Sequence, residues 1–195
     1  MAEIIRILGI AGSLRRQSFN RAALAAAKEL VPEGVIMDVY ELDDLPLYNQ
    51  DQDTNFPEVA VKFKQAIRKA DAILFVTPEY NYSVSGVLKN AIDWASRPYG
   101  DSAWNGKPAA IMGASPGNLG TARAQYHLRQ VLLSLNMFVV NRPEVMISNA
   151  ENRFDANGKL TDEKTRSMIG NLVKGLIDLN NKMTTKPEIE NALSR

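Results

Sequence analysis

Apolar residues recur along this chain with two alternating periods. Ile4 to Ile10 is a short apolar run interrupted only by Arg6 and Gly9, the pattern of a strand buried on both faces. The alanine-rich stretch from Ser18 to Leu30 predicts a helix. Val35 to Leu42 alternates apolar and polar residues, the period of a second strand. From Pro57 to Ala70, residues Val59, Ala60, Phe63, Ala66, Ile67 and Ala70 form one helical stripe. Pro57 suits the first turn of that helix. Ala72 to Val76 predicts a buried strand, Val84 to Ala95 a helix ending near Pro98, and Ala109 to Ala114 a fourth strand. A helix over Thr121 to Leu135 follows. Met137 to Val140 and Val145 to Ile147 read as a fifth strand broken by Pro143. The last helix runs from Asp162 to Asn180, with Met168, Leu172, Leu176 and Leu179 on one face.

Strands alternating with helices imply a parallel sheet covered on both faces. Right-handed crossovers leave few topologies for it. The simplest is a flavodoxin-like α/β fold, a five-stranded parallel sheet of order 2-1-3-4-5 with helices on both faces. Residues 1–183 then form a single domain, and 184–195 a polar C-terminal tail.

Composition narrows the chemistry. The chain has 195 residues, 45% hydrophobic and 23% charged, as expected of a soluble globular protein. Its net charge of +1 gives no field of one sign, so neither nucleic acid nor an anionic membrane is an expected partner. There is no cysteine and one histidine, His127. Disulfides, thiolate nucleophiles and multi-histidine metal sites within one chain are therefore not expected. No apolar stretch approaches membrane-spanning length. The first ten residues lack the basic start and long apolar core of a signal peptide, so a cytoplasmic location is expected.

In an open parallel sheet, ligands bind beyond the carboxyl ends of the strands, and the unusual residues of this chain collect there. The first such loop, Gly12 to Asn20, carries Ser13, Arg15, Ser18 and Asn20 beside a helix N-terminus. Unpaired backbone N–H groups and the helix dipole favour an anion at such a place. Arg15 could add charge-assisted hydrogen bonds to a phosphate. Ser18 or Asn20 would equally serve as a plain helix cap. The loop lacks both Gly-x-Gly-x-x-Gly and Gly-Lys-Ser/Thr, so a terminal monophosphate fits it better than a pyrophosphate or triphosphate.

The second loop, Thr77 to Ser83, holds Pro78, Glu79, Tyr80 and Asn81. Such a turn can offer backbone groups to the edge of a planar heterocycle and an aromatic ring to its face. It can also be a proline-initiated surface turn. The third loop, Ser115 to Thr121, contains Gly117 and Gly120, which permit close backbone approach to a ligand or simply a tight turn into a helix.

Taken together, the ordered segments Gly12-Ser-Leu-Arg15, Ser18-x-Asn20, Pro78-Glu-Tyr-Asn81, Leu88-Lys-Asn-Ala-Ile-Asp-Trp94, Gly106-Lys-Pro108 and Ser115-x-Gly117-x-x-Gly120 resemble the NAD(P)H-dependent FMN reductase family. That family includes bacterial quinone and chromate reductases. The resemblance spans residues 4 to 180. It implies that Ser13, Arg15, Ser18 and Asn20 hold the phosphate of FMN. It also implies that Pro78, Glu79, Tyr80, Asn81, Ser115 and Gly117 line the isoalloxazine ring. One departure is visible: Ser85-Gly86 stands where the family often has Pro-Gly, a change expected to loosen the start of the third helix.

The implied activity is hydride transfer from NAD(P)H to flavin and on to quinones, free flavins, chromate or azo compounds by a ping-pong mechanism. No protein residue need act as acid or base in the hydride step, and no metal is implied. The family resemblance also implies a homodimer or homotetramer, with Arg123, Tyr126 and Glu144 as candidate contact residues. Trp94 and Trp104 are expected in core and rim packing rather than at a cofactor, and His127 in a structural or exposed position. A non-enzymatic flavodoxin-like electron carrier is the alternative. Flavodoxins are usually markedly acidic, and a balance of 23 basic to 22 acidic residues argues against that role. A flavin-free phosphate-binding module would leave the aromatic second loop without a purpose.

Overall fold

In the computed structural model, which describes residues 4–184, the apolar runs form β1 (Ile5–Ala11), β2 (Val35–Tyr40), β3 (Ala72–Val76) and β4 (Pro108–Ala114). The helical stripes become α1 (Phe19–Glu29), α2 (Glu58–Lys69), α3 (Gly86–Ser96), α4 (Ala122–Ser134) and α5 (Glu163–Thr184). Beyond Thr184, the expected tail lies outside the described residues.

The broken fifth strand is two short strands, β5 (Phe138–Val139) and β6 (Val145–Ile147). Both run parallel to β4, β5 beside Pro108 and Ala109 and β6 beside Met112 to Ala114. Pro143 lies between them and has no N–H to contribute to a ladder. The strand order is β2-β1-β3-β4-β5, with β6 also on β4, as the alternating pattern implies.

Helices α1 and α5 cover one face of the sheet, around Ile7, Leu74, Val76 and Met112. Helices α2, α3 and α4 cover the other, around Ile10, Phe63, Phe75 and Ile111. Both tryptophans are fully buried, so Trp104 belongs to the core and not to the rim. Their indole N–H groups find carbonyls, Trp94 at Pro46 (2.7 Å) and Trp104 at Ile92 (3.0 Å), as buried indoles need. Pro57 occupies the N-cap of α2 instead of its first turn.

The amino end of the sheet is closed by charged side chains. Lys107 Nζ donates to the carbonyls of Arg68 (3.2 Å) and Ala70, capping the C-terminus of α2. Burial lowers its pKa. Asp101 pairs with Lys64 at 2.8 Å and with Arg68. Among the described residues, no helix is long and apolar enough to cross a membrane.

Candidate active site

The loops after β1, β3 and β4 meet at the carboxyl end of the sheet because these strands are neighbours. The first loop is moored at three points. The Gly12 N–H donates to Val76 O at 2.8 Å. Ser85 Oγ donates to Gly12 O at 2.7 Å and accepts the Leu88 N–H at 3.2 Å. A Cβ at position 12 would lie 2.9 Å from Leu88 Cβ, so the loop can approach α3 this closely only with glycine there. Ser85 thus caps α3 and ties it to the first loop. The expected loosening at Ser85-Gly86 is not found, because a hydroxyl bonds both elements where proline could bond neither.

Asn20 is the third mooring. Its side-chain N–H donates to Ala114 O at 2.9 Å and its Oδ1 accepts the Ala114 N–H at 2.8 Å. Only 3% of the residue is exposed. Ser18 is the N-cap of α1, and its Oγ accepts from Asn20 N (3.2 Å) and Arg21 N (3.4 Å). Its own O–H remains available as a donor.

These attachments leave a cluster of donors open. Ser13 is 6% exposed, and its hydroxyl has no partner among the described residues. Arg15 is exposed and makes no ion pair among the described residues. The backbone N–H groups of Leu14 to Gln17 likewise meet no acceptor among them. These donors lie beside the N-terminus of α1, where the helix dipole favours negative charge.

The second loop is organised differently. Tyr80 and Ser83 exchange backbone hydrogen bonds of 3.1 and 3.0 Å. Between them Asn81 and Tyr82 have φ of 49° and 68°, a two-residue turn with both central residues left-handed. The Glu79 carboxylate is 6% exposed and points at α4. It accepts the backbone N–H groups of Arg123 (3.0 Å) and Ala124 (3.2 Å) and pairs with the Arg123 guanidinium. Thr121, at the N-cap of α4, supplies no side-chain cap, so Glu79 caps that helix from another loop. The Arg123 guanidinium in turn lies over the Tyr82 ring, 3.7 Å from its centroid. His127 Nδ1 and Ser83 Oγ, 3.1 Å apart, add another tie. Pro78 is buried, and Tyr80, Asn81 and Tyr82 are exposed.

In the third loop, Ser115 Oγ accepts the Gly117 N–H at 3.1 Å. Its backbone is braced by Ala150 N–H to Ser115 O (3.1 Å) and Asn149 N–H to Gly117 O (3.3 Å). Gly113 brings this loop against the second one: a Cβ there would collide with Thr121 Oγ1 and Thr77 O. Among the described residues, no cluster of three or more His, Asp or Glu could hold a metal.

The structure places Ser13, Arg15 and Ser18 on one loop, lines a single cavity with Arg15 and Ser18, and buries Asn20 against Ala114. Pro78, Tyr80, Asn81, Ser115 and Gly117 lie on the adjoining loops, while the Glu79 side chain is turned to α4. Sequence reasoning missed Ser85, whose position just before a helical stripe is the usual signal of a cap. Of the candidate contact residues, Arg123 is engaged within the chain, Tyr126 is exposed, and Glu144 lies 3.9 Å from Arg142.

Residues 5–152 match the family described as NADPH-dependent FMN reductase. An NAD(P)H-dependent FMN reductase of Pseudomonas aeruginosa is 54% identical over 177 residues, covering 90% of this chain and 95% of that protein. A 2-hydroxy-1,4-benzoquinone reductase of Burkholderia sp. is 52% identical over 165 residues, 85% of this chain and 90% of that one. Among solved structures, FerB, a flavoenzyme NAD(P)H:(acceptor) oxidoreductase from Paracoccus denitrificans, aligns with a TM-score of 0.85. It is 38% identical and covers 92% of this chain and 99% of its own.

Proposed function

The chain belongs to the NADPH-dependent FMN reductase family, and we propose a role for each side chain of its three loops in that activity. The protein is an oxidoreductase with FMN as cofactor and NAD(P)H as reductant, and quinones and flavins are its acceptors. Bound FMN supplies the hydride chemistry; the protein supplies its placement.

The observation that carries the assignment is the cluster of unpartnered donors in the first loop. Ser13 Oγ, the Ser18 O–H, Arg15 and the free N–H groups of residues 14–17 suit a monophosphate. Asn20 holds that loop in place through Ala114. The backbone of Pro78 to Asn81 and the Ser115–Gly117 segment line the isoalloxazine ring. N–H groups of these loops aimed at the ring edge would stabilise negative charge there.

We further read residues 1–183 as one FMN-binding domain, acting in the cytoplasm as a homodimer or homotetramer. The exposed Leu119, Tyr126 and Leu133 on or beside α4 support subunit contact, which sedimentation would measure. Chromate and azo compounds extend the acceptor range that an open ring face would serve.

Titrating the flavin-free protein with FMN should quench flavin fluorescence at one equivalent per chain. An unchanged signal would overturn the assignment. Steady NAD(P)H oxidation with a quinone and no second protein separates this enzyme from an electron carrier, which would show no turnover.

A further inference from the structure

Beside the first loop lies a cavity larger than one phosphate needs. Its volume is about 560 Å³, inside the roughly 300–1,000 Å³ range of small-molecule sites. Arg15 and Ser18, assigned above to the FMN phosphate, line one part of it. The rest is lined by Arg16, by the outer side of α1 and by residues between Glu151 and Gly158.

The charges of this lining are unevenly matched. Arg21 is paired with Glu41 at 2.7 Å. Asp155 is committed to its own turn, where its Oδ1 accepts the N–H groups of Asn157 (2.9 Å) and Lys159 (2.8 Å). Arg16 is exposed and meets no carboxylate among the described residues. Glu151, exposed on the short segment Ala150–Asn152, meets no cation among them. Between these unmatched charges the wall is apolar. The half-buried Phe19 ring packs on Phe154, 5.8 Å between centroids, and Ala22 and Ala25 extend the surface. The cavity thus offers a cation for an anion, a carboxylate for hydroxyl or amino donors, and an aromatic wall for a planar base.

We propose that this cavity binds the adenosine 2′-phosphate half of NADPH. Arg16 holds the 2′-phosphate, Glu151 accepts from the donor groups of the adenosine, and the Phe19 wall lies against the base. Nucleotide sites meet a 2′-phosphate with arginine, whose planar fork matches phosphate oxygens. NADH has only a hydroxyl at that place, so Arg16 distinguishes the two reductants by charge and favours NADPH. The subsite rests on the flavin reading above, because the nicotinamide of the same molecule must reach that ring.

The test uses the FMN-loaded enzyme with Arg16→Ala and Arg16→Lys. Calorimetric titration of the oxidised holoenzyme takes two probes that cannot reduce flavin, adenosine 2′,5′-bisphosphate and adenosine 5′-monophosphate. Wild type should bind the bisphosphate about tenfold more tightly than the monophosphate, and Arg16→Ala should lose that preference. In Arg16→Ala the NADPH KM should rise about tenfold, the NADH KM should stay within about twofold, and kcat should change little. Arg16→Lys, a point charge in place of the fork, should fall between the two. FMN affinity should stay within about twofold in both variants.

An unchanged NADPH KM in Arg16→Ala, equal rises in the NADPH and NADH KM, or no preference of wild type for the bisphosphate would each overturn the proposal. So would a loss of FMN affinity of about tenfold, which would make Arg16 a second ligand of the FMN phosphate. A wild-type protein that bound no FMN would remove the flavin site itself, and the subsite with it.

Discussion

The two ends of the sheet treat their polar groups in opposite ways. At the amino end, Lys64, Arg68 and Asp101 close on one another, and Lys107 caps α2. At the carboxyl end, Ser13, Arg15 and the N–H groups of residues 14–17 are held in place with no partner of their own among the described residues. Residues 14–17 are exposed, so their donors can stay unpaired without penalty, and the proposed phosphate site makes use of them. Within the carboxyl end a second contrast appears. The first loop uses Asn20, Ser18 and backbone contacts to fix its shape and leaves Arg15 free. The second loop commits its charged residue, Glu79, to α4 and leaves exposed rings and backbone.

The sharpest way to break this picture is Asn20→Ala. It removes two buried hydrogen bonds and strands the N–H and C=O of Ala114, which should cost about 2–4 kcal/mol. Urea unfolding would measure it, and FMN affinity should fall as the first loop loses its mooring. An unfolding midpoint equal to that of wild type would show that the clamp is dispensable.

Arg15→Ala comes next. Losing a charge-assisted phosphate bond should cost roughly 1.5–3 kcal/mol of FMN binding, about ten- to a hundredfold. Stability should be unaffected, because Arg15 holds no element together. Fluorescence titration decides it, and undiminished affinity would refute the phosphate role.

Glu79→Ala sharpens the contrast between the loops. It should destabilise the fold by about 1–2 kcal/mol through the lost cap of α4 and weaken FMN less than Arg15→Ala does. A larger loss of FMN affinity than in Arg15→Ala would mean that the Glu79 side chain serves the ligand after all.

The smallest effect belongs to the amino end. Hydrogen bonds from Lys64 and then Arg68 hold the Asp101 carboxyl below its ordinary value of 3.8. A depressed carboxyl stabilises the fold above that value, and the contribution is lost as pH falls through the lower, folded one. Asp101 is half exposed, so the term is at most about 1 kcal/mol. Asp101→Asn should flatten the acid limb of stability against pH below 3.8 and leave FMN affinity at neutral pH unchanged.

Much of this molecule is determined by local pattern. Runs such as Ala72 to Val76 must be buried on both faces, and stripes such as Val59 to Ala70 must cover them. That alternation leads to a parallel sheet with few possible orders, the simplest of which is the one observed, and the sheet puts Ser13, Pro78 and Ser115 at one end. Periodicity follows from the spacing of neighbours in the chain, so the chain alone discloses it.

Only the tertiary structure decided what the polar residues of that end do. Asn20 meets Ala114 across 94 positions of chain and Glu79 meets Arg123 across 44, separations at which no local rule operates. The left-handed turn at Asn81 and Tyr82 is likewise imposed by the ties of its flanks to α4, against the preference of tyrosine itself. Hydrogen bonds and ion pairs depend on distances that exist only once the strands are side by side, and so a residue type could name the donors here without telling which were already taken.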